Sequence, residues 1–373
     1  MESVFEERTR SLQGALRDRD VDCVVLFPSP NLYYLTGFWE EPMERQLFLF
    51  VPASGDPAFV APELYRSQLQ ESTWIADIRP YGDDEDPQSL IAATARDLDF
   101  AAGHLLLDPT MWALFTLDLR DILSEASFGL ADEVMAERRR CKDELERRAL
   151  QDAGSIADDV MEWVRAKGSD VVGMSETELA AGIGERLRSA ADGDLAFEPV
   201  VGSGPNGAKP HHRHADREIR PGDPVVLDFG VRQDQYPSDT TRTVVFDGEP
   251  PDTFREVHSI VKEAQQEAIE TVEPGIPAER VDAAARAVIE DAGYGDQFIH
   301  RTGHGVGLSV HEEPYIVSGN ETPLEPGMVF SVEPGIYLEA EFGVRIEDLV
   351  LVTADGAERL NTTDRGWEAT ESA

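Results

Sequence analysis

Apolar and polar positions follow two different periods along this chain. Residues 4–19 carry apolar side chains at helical spacing, and Val21-Asp22-Cys23-Val24-Val25-Leu26-Phe27 then reads as a buried strand. Further strand-like runs fall at 45–52, 57–61 and 104–108, with helical patterns at about 63–72, 87–99 and 111–123. Strands and helices interleaved in this way predict an α/β domain that ends near residue 135. A long charged helix is predicted over about 143–167, with Leu145, Ala149, Ile156, Val160 and Val164 at helical spacing, and Gly168 stops it. Ser175 followed by Glu178 has the spacing of a capping box and starts a second helix. Short strands fill about 196–246, two helices follow near 252–271 and 277–292, and strands resume to about 353. The expected organisation is an N-terminal domain over 1–135, a second domain over 136–360 and a solvated tail over 361–373.

The second domain contains an internal repeat. Pro221-Gly222-Asp223-Pro224-Val225-Val226-Leu227-Asp228-Phe229-Gly230 matches Pro326-Gly327-Met328-Val329-Phe330-Ser331-Val332-Glu333-Pro334-Gly335. Each block reads Pro-Gly, an apolar strand, one carboxylate and then Gly. Each is followed by a second apolar strand with a carboxylate near its start, Asp239 in one case and Glu347 in the other. Two helices precede each block. Two α-α-β-β halves related by a pseudo-twofold are expected.

Asp228, Asp239, Glu333 and Glu347 then occupy related places. A lone carboxylate in an apolar strand commonly points to water or pairs with an arginine, but four converging anions cannot be buried without cations. Two divalent ions would supply that charge. Of the eight histidines, six lie in two short segments beside these strands: His211, His212, His214, His300, His304 and His311. His104 and His258 lie elsewhere and read as structural or surface residues. Gly303-His304-Gly305-Val306-Gly307 is a flexible backbone that can bring an imidazole to a metal. One nitrogen with many hard oxygens points to Mn²⁺, Co²⁺ or Fe²⁺, with Zn²⁺ compatible, and away from a sulfur-rich structural zinc.

Asp228, Asp239, His304, Glu333 and Glu347, in that order, resemble the five metal ligands of the methionine aminopeptidase/prolidase superfamily. The motifs are Val226-Leu227-Asp228-Phe229-Gly230, Ser238-Asp239-Thr240-Thr241-Arg242-Thr243, Gly303-His304-Gly305-Val306-Gly307-Leu308, Ser331-Val332-Glu333-Pro334-Gly335 and Arg345-Ile346-Glu347-Asp348. Asn31-Leu32-Tyr33-Tyr34-Leu35-Thr36-Gly37-Phe38 resembles the signature turn of the creatinase/prolidase N-terminal domain, so the likeness spans about 1–355. It implies a ribonuclease H-like α/β N-terminal domain followed by an α+β pita-bread metallopeptidase domain. It also implies two divalent ions, Mn²⁺ or Co²⁺ foremost, that activate a water.

By the same resemblance Glu333 is a metal ligand and the general base, and His311 steadies the substrate carbonyl or the tetrahedral intermediate. His211 lines the substrate pocket, with His212 and His214 competing for that place. His300 matches an extra histidine of proline-specific members, or alternatively orients another ligand. Arg345 lies two residues before Glu347 on the same strand face and would fix a ligand or substrate carboxylate. Arg242 either supports it or makes a surface salt bridge. The implied activity is hydrolysis of the Xaa-Pro bond at the N-terminus of proline-containing peptides or dipeptides, by a homodimer. Aminopeptidase and dipeptidase forms stay open. The alternatives are a methionine aminopeptidase, a creatinase-like hydrolase and a non-catalytic pita-bread binding module.

Charge changes the picture at the edges. Among 373 residues Asp+Glu number 73 and Lys+Arg 33, a net charge of -40, which argues against nucleic-acid and anionic-membrane partners. No apolar run reaches the roughly 18–20 residues of a membrane span. The acidic start lacks signal-peptide features, and Cys23 and Cys141 are the only cysteines, which together point to a reducing cytoplasm. Only Lys142, Lys167, Lys209 and Lys262 are lysines. Carboxylate excess with scarce lysine is the pattern of a salt-adapted, halophilic protein.

Overall fold

The computed structural model describes residues 3–370, and the chain divides between Arg139 and Arg140 into two compact units. The first unit contains α1 (Val4–Asp18), β1 (Cys23–Leu26), α2 (Pro30–Thr36), β2 (Phe48–Pro52), β3 (Ala58–Pro62), α3 (Arg66–Ser72), β4 (Asp77–Tyr81), α4 (Gln88–Asp97), β5 (His104–Leu107), α5 (Ala113–Ile122), β6 (Ser127–Leu130) and α6 (Asp132–Arg140). Its six strands form one sheet in the order β4-β3-β2-β1-β5-β6. β1 runs antiparallel to β2 and parallel to β5, so the sheet is mixed. Cys23, Val25, Phe48, Phe50 and Leu105 pack from it against Ile91 and Ala95 of α4 and Phe115 and Leu119 of α5.

The pattern of the chain missed four features here, one being α6, a highly charged helix in which only Val134 and Met135 are buried. The segment read as a turn at 31–38 is a short helix, with Pro30 in its first turn, the Ser29 hydroxyl accepting from Leu32 N, and Gly37 closing it. The edge strands β4 and β6 were not anticipated, because both are short and largely half-exposed and carry no clean alternation.

The second unit contains α7 (Glu144–Arg165), α8 (Glu176–Ala190), β7 (Val200–Ser203), β8 (Val225–Phe229), β9 (Arg232–Gln233), β10 (Tyr236–Pro237), β11 (Thr240–Val244), α9 (Phe254–Thr271), α10 (Glu279–Asp291), β12 (Gly303–Gly305), β13 (Glu312–Ile316), β14 (Val329–Val332), β15 (Gly335–Leu338), β16 (Phe342–Arg345), β17 (Asp348–Thr353) and β18 (Gly356–Arg359). Asp143 and Ser175 both form capping boxes, with Glu146 and Glu178. Two halves are evident. In the first, α7 and α8 cover β7, β8 and β11 through Val160, Val164, Leu179, Ile183, Leu227 and Phe229. In the second, α9 and α10 cover β14 and β17 through Val257, Val261, Ala285, Phe330, Val332 and Val350. Gly222 and Gly327, the glycines of the two Pro-Gly turns, both have left-handed φ values, 82° and 96°. The repeat is therefore structural as well as textual.

The stretch read as a solvated tail is docked as far as it is described. Its last residues, 371–373, lie outside the described residues. Arg165, fully buried on α7, donates to the carbonyls of Asp364, Gly366 and Glu368. Arg242 on β11 donates to the carbonyls of Thr363 and Asp364. Val245 N donates to Trp367 O, and the Trp367 ring meets Phe254 edge-on. Hydropathy missed this strap because it is held by backbone carbonyls rather than by an apolar stripe.

Removing the guanidinium would leave the part-buried carbonyls of Gly366 and Glu368 without this donor and the Asp364 carbonyl with Arg242 alone. Arg165→Met is expected to cost about 3 kcal/mol in urea unfolding of the protein. A cost below about 0.5 kcal/mol, the level of an inert surface change, would contradict this role.

Candidate metal centre

Strand alternation decides where the carboxylates point. Val225, Leu227 and Phe229 enter the first half's core, so Asp228 emerges on the opposite face of β8. β14 repeats this: Phe330 and Val332 enter the other core, leaving Ser331 and, one residue past the strand, Glu333 on the far face. Asp239 directly precedes β11 and Glu347 directly precedes β17. Glu347 N donates to Thr241 O at 3.0 Å, so the two strand pairs meet at this point. His304 is the central residue of β12.

All five residues line one cavity of about 700 Å³, together with His211, His300, His311 and Arg345. A groove of about 840 Å³ in the first unit is larger, but it gathers no such cluster. Its Asp108 is spent on the hydroxyls of Ser29 and Thr110 and on the Asn31 amide.

The electrostatics demand a cation. Burial, and after it the charges of Asp228 and Glu333, drives Asp239 well above the usual carboxylate range. Burial and then Asp239, Glu333 and Asp228 do the same to Glu347. Burial lifts Glu333 to about 7 despite the opposing pull of Arg345. Asp228 is also raised by burial, against Arg345, which bonds its Oδ2 at 2.6 Å. Its Oδ1 is buried with no hydrogen-bond partner among the described residues.

His304 carries the same message. Nδ1 faces the Gly305 carbonyl at 3.2 Å and so bears the proton. Nε2 then presents a lone pair 3.3 Å from Glu333 Oε1 and 3.8 Å from Asp239 Oδ2. Burial, followed by the nearby His311, pushes the His304 pKa down to about 3, so protonation of the ring does not relieve the clash of lone pairs. A proton on Glu333 or a metal ion does. Asp239, His304 and Glu347 each offer a donor atom within 4.8 Å of the others. The donor set therefore fits divalent metal, with Asp228 Oδ1 and Glu333 as further oxygens.

The remaining residues sort by their partners. Arg345 bonds Asp228, Thr241 Oγ1 at 3.2 Å and the Tyr337 hydroxyl at 3.0 Å, so it holds a cluster carboxylate. His300 Nδ1 donates to Arg301 O at 2.7 Å, and its Nε2 accepts from the Tyr337 hydroxyl at 2.9 Å. It lines the cavity and also braces Tyr337. His311 packs its ring 4.0 Å from that of His304. Of the three competing histidines, His211 lines the cavity. His212 is bound to Glu176 and His214 to Thr177 and Glu198. Arg242 makes no surface salt bridge. It is wholly buried, bonds Asp348 Oδ1 at 2.7 Å and the Glu347 carbonyl, and so ties β11 to β17.

Sequence reasoning missed Tyr337, Thr241 and Arg301. Thr241 was legible in principle, since it stands opposite Asp228 in the β8–β11 register. Arg301 adjoins His300 and lines the cavity. Tyr337 had no signal, because it reaches the site only through the β15–β16 hairpin.

The model of metallopeptidase family M24 matches residues 148–354, and that of the creatinase/prolidase N-terminal domain matches residues 8–141. The chain is 41% identical over 362 residues to a probable dipeptidase PepE of Mycobacterium tuberculosis, covering 96% of this chain and 94% of that one. It is 38% identical to an Xaa-Pro dipeptidase of Lactobacillus helveticus, over 95% and 96% of the two chains. The crystal structure of a recombinant prolidase from Thermococcus sibiricus superposes with a TM-score of 0.92 at 41% identity, covering 98% of this chain and 99% of that one.

Metal-stripped protein should lose stability as pH rises. Glu333 moves from the usual 4.5 to about 7 on folding, so the native chain holds the extra proton between those values. That stability is complete below about pH 4.5 and is lost as pH climbs through about 7. Metal takes the proton's place and should flatten the difference. Urea unfolding of chelator-treated protein, with and without Mn²⁺, checks this, and identical pH slopes in the two series would contradict the centre.

Proposed function

The chain belongs to metallopeptidase family M24, with the pita-bread fold and a creatinase/prolidase N-terminal domain, and from that premise we propose that it hydrolyses the Xaa-Pro bond of dipeptides. The observation that carries this reading is the convergence of four carboxylates and a neutral imidazole in one cavity. Asp228, Asp239, His304, Glu333 and Glu347 would hold two divalent ions, Mn²⁺ or Co²⁺ foremost. Bound there, the ions would acidify a water and polarise the scissile carbonyl. Glu333 takes the proton of the attacking water, with Ser331 Oγ 3.2 Å from its Oε1 to hold the carboxylate in place. His311 and His211 donate hydrogen bonds towards the carbonyl oxygen as charge builds on it. His300 and Tyr337 keep Arg345 on Asp228, so that this carboxylate does not turn away from its partners.

The restriction to dipeptides rests on a spare cation. Arg345 is spent on Asp228, and Arg213 is exposed. Arg301 lines the cavity with its guanidinium 4.5 Å over the Tyr315 ring. It meets the free carboxylate that follows the scissile bond in Xaa-Pro. A longer peptide lacks that carboxylate at the same place.

Two further properties belong to this reading. The protein acts as a homodimer in the cytoplasm. Its carboxylate-rich exterior is a salt-adapted coat whose self-repulsion needs screening.

Purified enzyme with Mn²⁺ should cleave Ala-Pro and leave Ala-Pro-Ala largely intact, and Asp239→Ala should remove both metal and turnover. Arg301→Ala should raise KM for Ala-Pro about tenfold or more, the worth of one charge-assisted hydrogen bond, with kcat little changed. Equal cleavage of the tripeptide would replace dipeptidase by aminopeptidase, and no turnover of either would end the peptidase reading. The urea midpoint should also climb with KCl, and a salt-independent midpoint would remove the halophilic reading alone.

A further inference from the structure

Glu176 opens α8 and does not line the cavity, yet its side chain is wholly buried. Five donor groups converge on that carboxylate. Ser203 N and Ser203 Oγ reach Oε1 at 2.8 and 2.6 Å. Asn206 Nδ2 lies 3.1 Å from both oxygens. His212 Nε2 and Ala215 N reach Oε2 at 2.7 and 3.0 Å. Every donor belongs to residues 203–215, and that segment carries Pro210, His211 and Arg213 to the cavity wall.

The anchoring is doubled from the helix side. Glu176 N and Thr177 N, at the start of α8, donate back to the carbonyls of Arg217 and Ala215. A buried anion at this end of a helix is favoured by the helix dipole and the unpaired amides. Burial alone would raise the Glu176 pKa, but hydrogen bonds led by those of Ser203 and His212 bring it below the usual range, so the carboxylate stays ionised. Arg217 extends the chain of contacts, bonding both Ser203 Oγ and Asp223 at 2.6 Å.

His211 contrasts with this. Its side chain is exposed, and no hydrogen bond among the described residues holds its ring. Where the imidazole stands is set by its backbone, and the backbone is set by Asn206, His212 and Ala215 on either side.

We propose that Glu176 is a positioning residue for the reaction: it pins the 203–215 segment so that His211 stands over the carboxylate cluster, and it acts on the substrate only through that histidine. This rests on the dipeptidase reading above, in which His211 assists the carbonyl. It gives α8 a functional end. It also explains why a histidine one residue from His211 points away from the site: His212 is the clasp and His211 the presented group.

Glu176→Gln tests it, because an amide nitrogen must then face donors where an oxygen accepted. Hydrogen exchange over residues 203–215 should quicken about tenfold, with the rest of the second unit unchanged. The kcat for Ala-Pro should drop about tenfold, as expected for a group displaced by a fraction of an ångström. In a His211→Ala background the same change should alter kcat less than about twofold, since the group being positioned is gone. His212→Ala removes one donor only and keeps the test open if Glu176→Gln fails to fold; it should shift the same readouts in the same direction. Multiplicative losses in the double variants, or unchanged exchange over 203–215, would overturn the proposal. Absent turnover by the wild-type enzyme would fell the dipeptidase reading instead, and the exchange data would still decide whether Glu176 is the anchor.

Discussion

Four carboxylates share one buried space at the seam of two half-domains, and the surrounding structure is organised around that charge. Anions taken out of water this close together are unstable unless protons or metals join them. The strand pairs β8–β11 and β14–β17 deliver two oxygens-bearing groups each by simple alternation, with apolar neighbours drawn into separate cores. Arg345 offsets one carboxylate, while Thr241 and Ser331 orient two others. None of these contacts neutralises the group, and the lone pair of His304 aimed at two carboxylates completes a site shaped for metal.

The convergence of these carboxylates was legible in the sequence. A carboxylate inside a Val/Leu-rich strand is conspicuous, and a repeat makes it conspicuous twice. Asp228 and Glu333 could therefore be paired, as could Asp239 and Glu347, before any coordinates. What could not be read lies at long range. Arg242 sits in a Thr-rich strand that gives no sign of Asp348, 106 residues away. Tyr337 depends on a hairpin register, and the docked segment at 362–370 on carbonyls that carry no side-chain signature. Segment 30–36 is short and aromatic, and only its proline and flanking serine and glycine mark it as a helix.

The arginines show how a very acidic protein allocates its few cations. Arg165, Arg242 and Arg345 are buried and bonded at several points, where the planar fork of the guanidinium can serve carbonyls and carboxylates together. Four lysines suffice for the whole chain. One of them, Lys142, is buried and holds Glu312, the residue after His311. The interior thus spends cations on geometry, and the exterior is left with the surplus of acid.

The clasp formed by Arg165 and Arg242 has a consequence for biosynthesis. Both arginines are made long before residues 363–368, whose carbonyls they need. On a ribosome the first unit can complete its sheet and helices while the second is still waiting, its two guanidinium groups hydrated and the seam between its halves open. Full desolvation of those groups waits for residues 363–368, whose carbonyls complete their hydrogen bonds. The order of synthesis therefore places closure of this clasp after the strands that bear the carboxylates have been made.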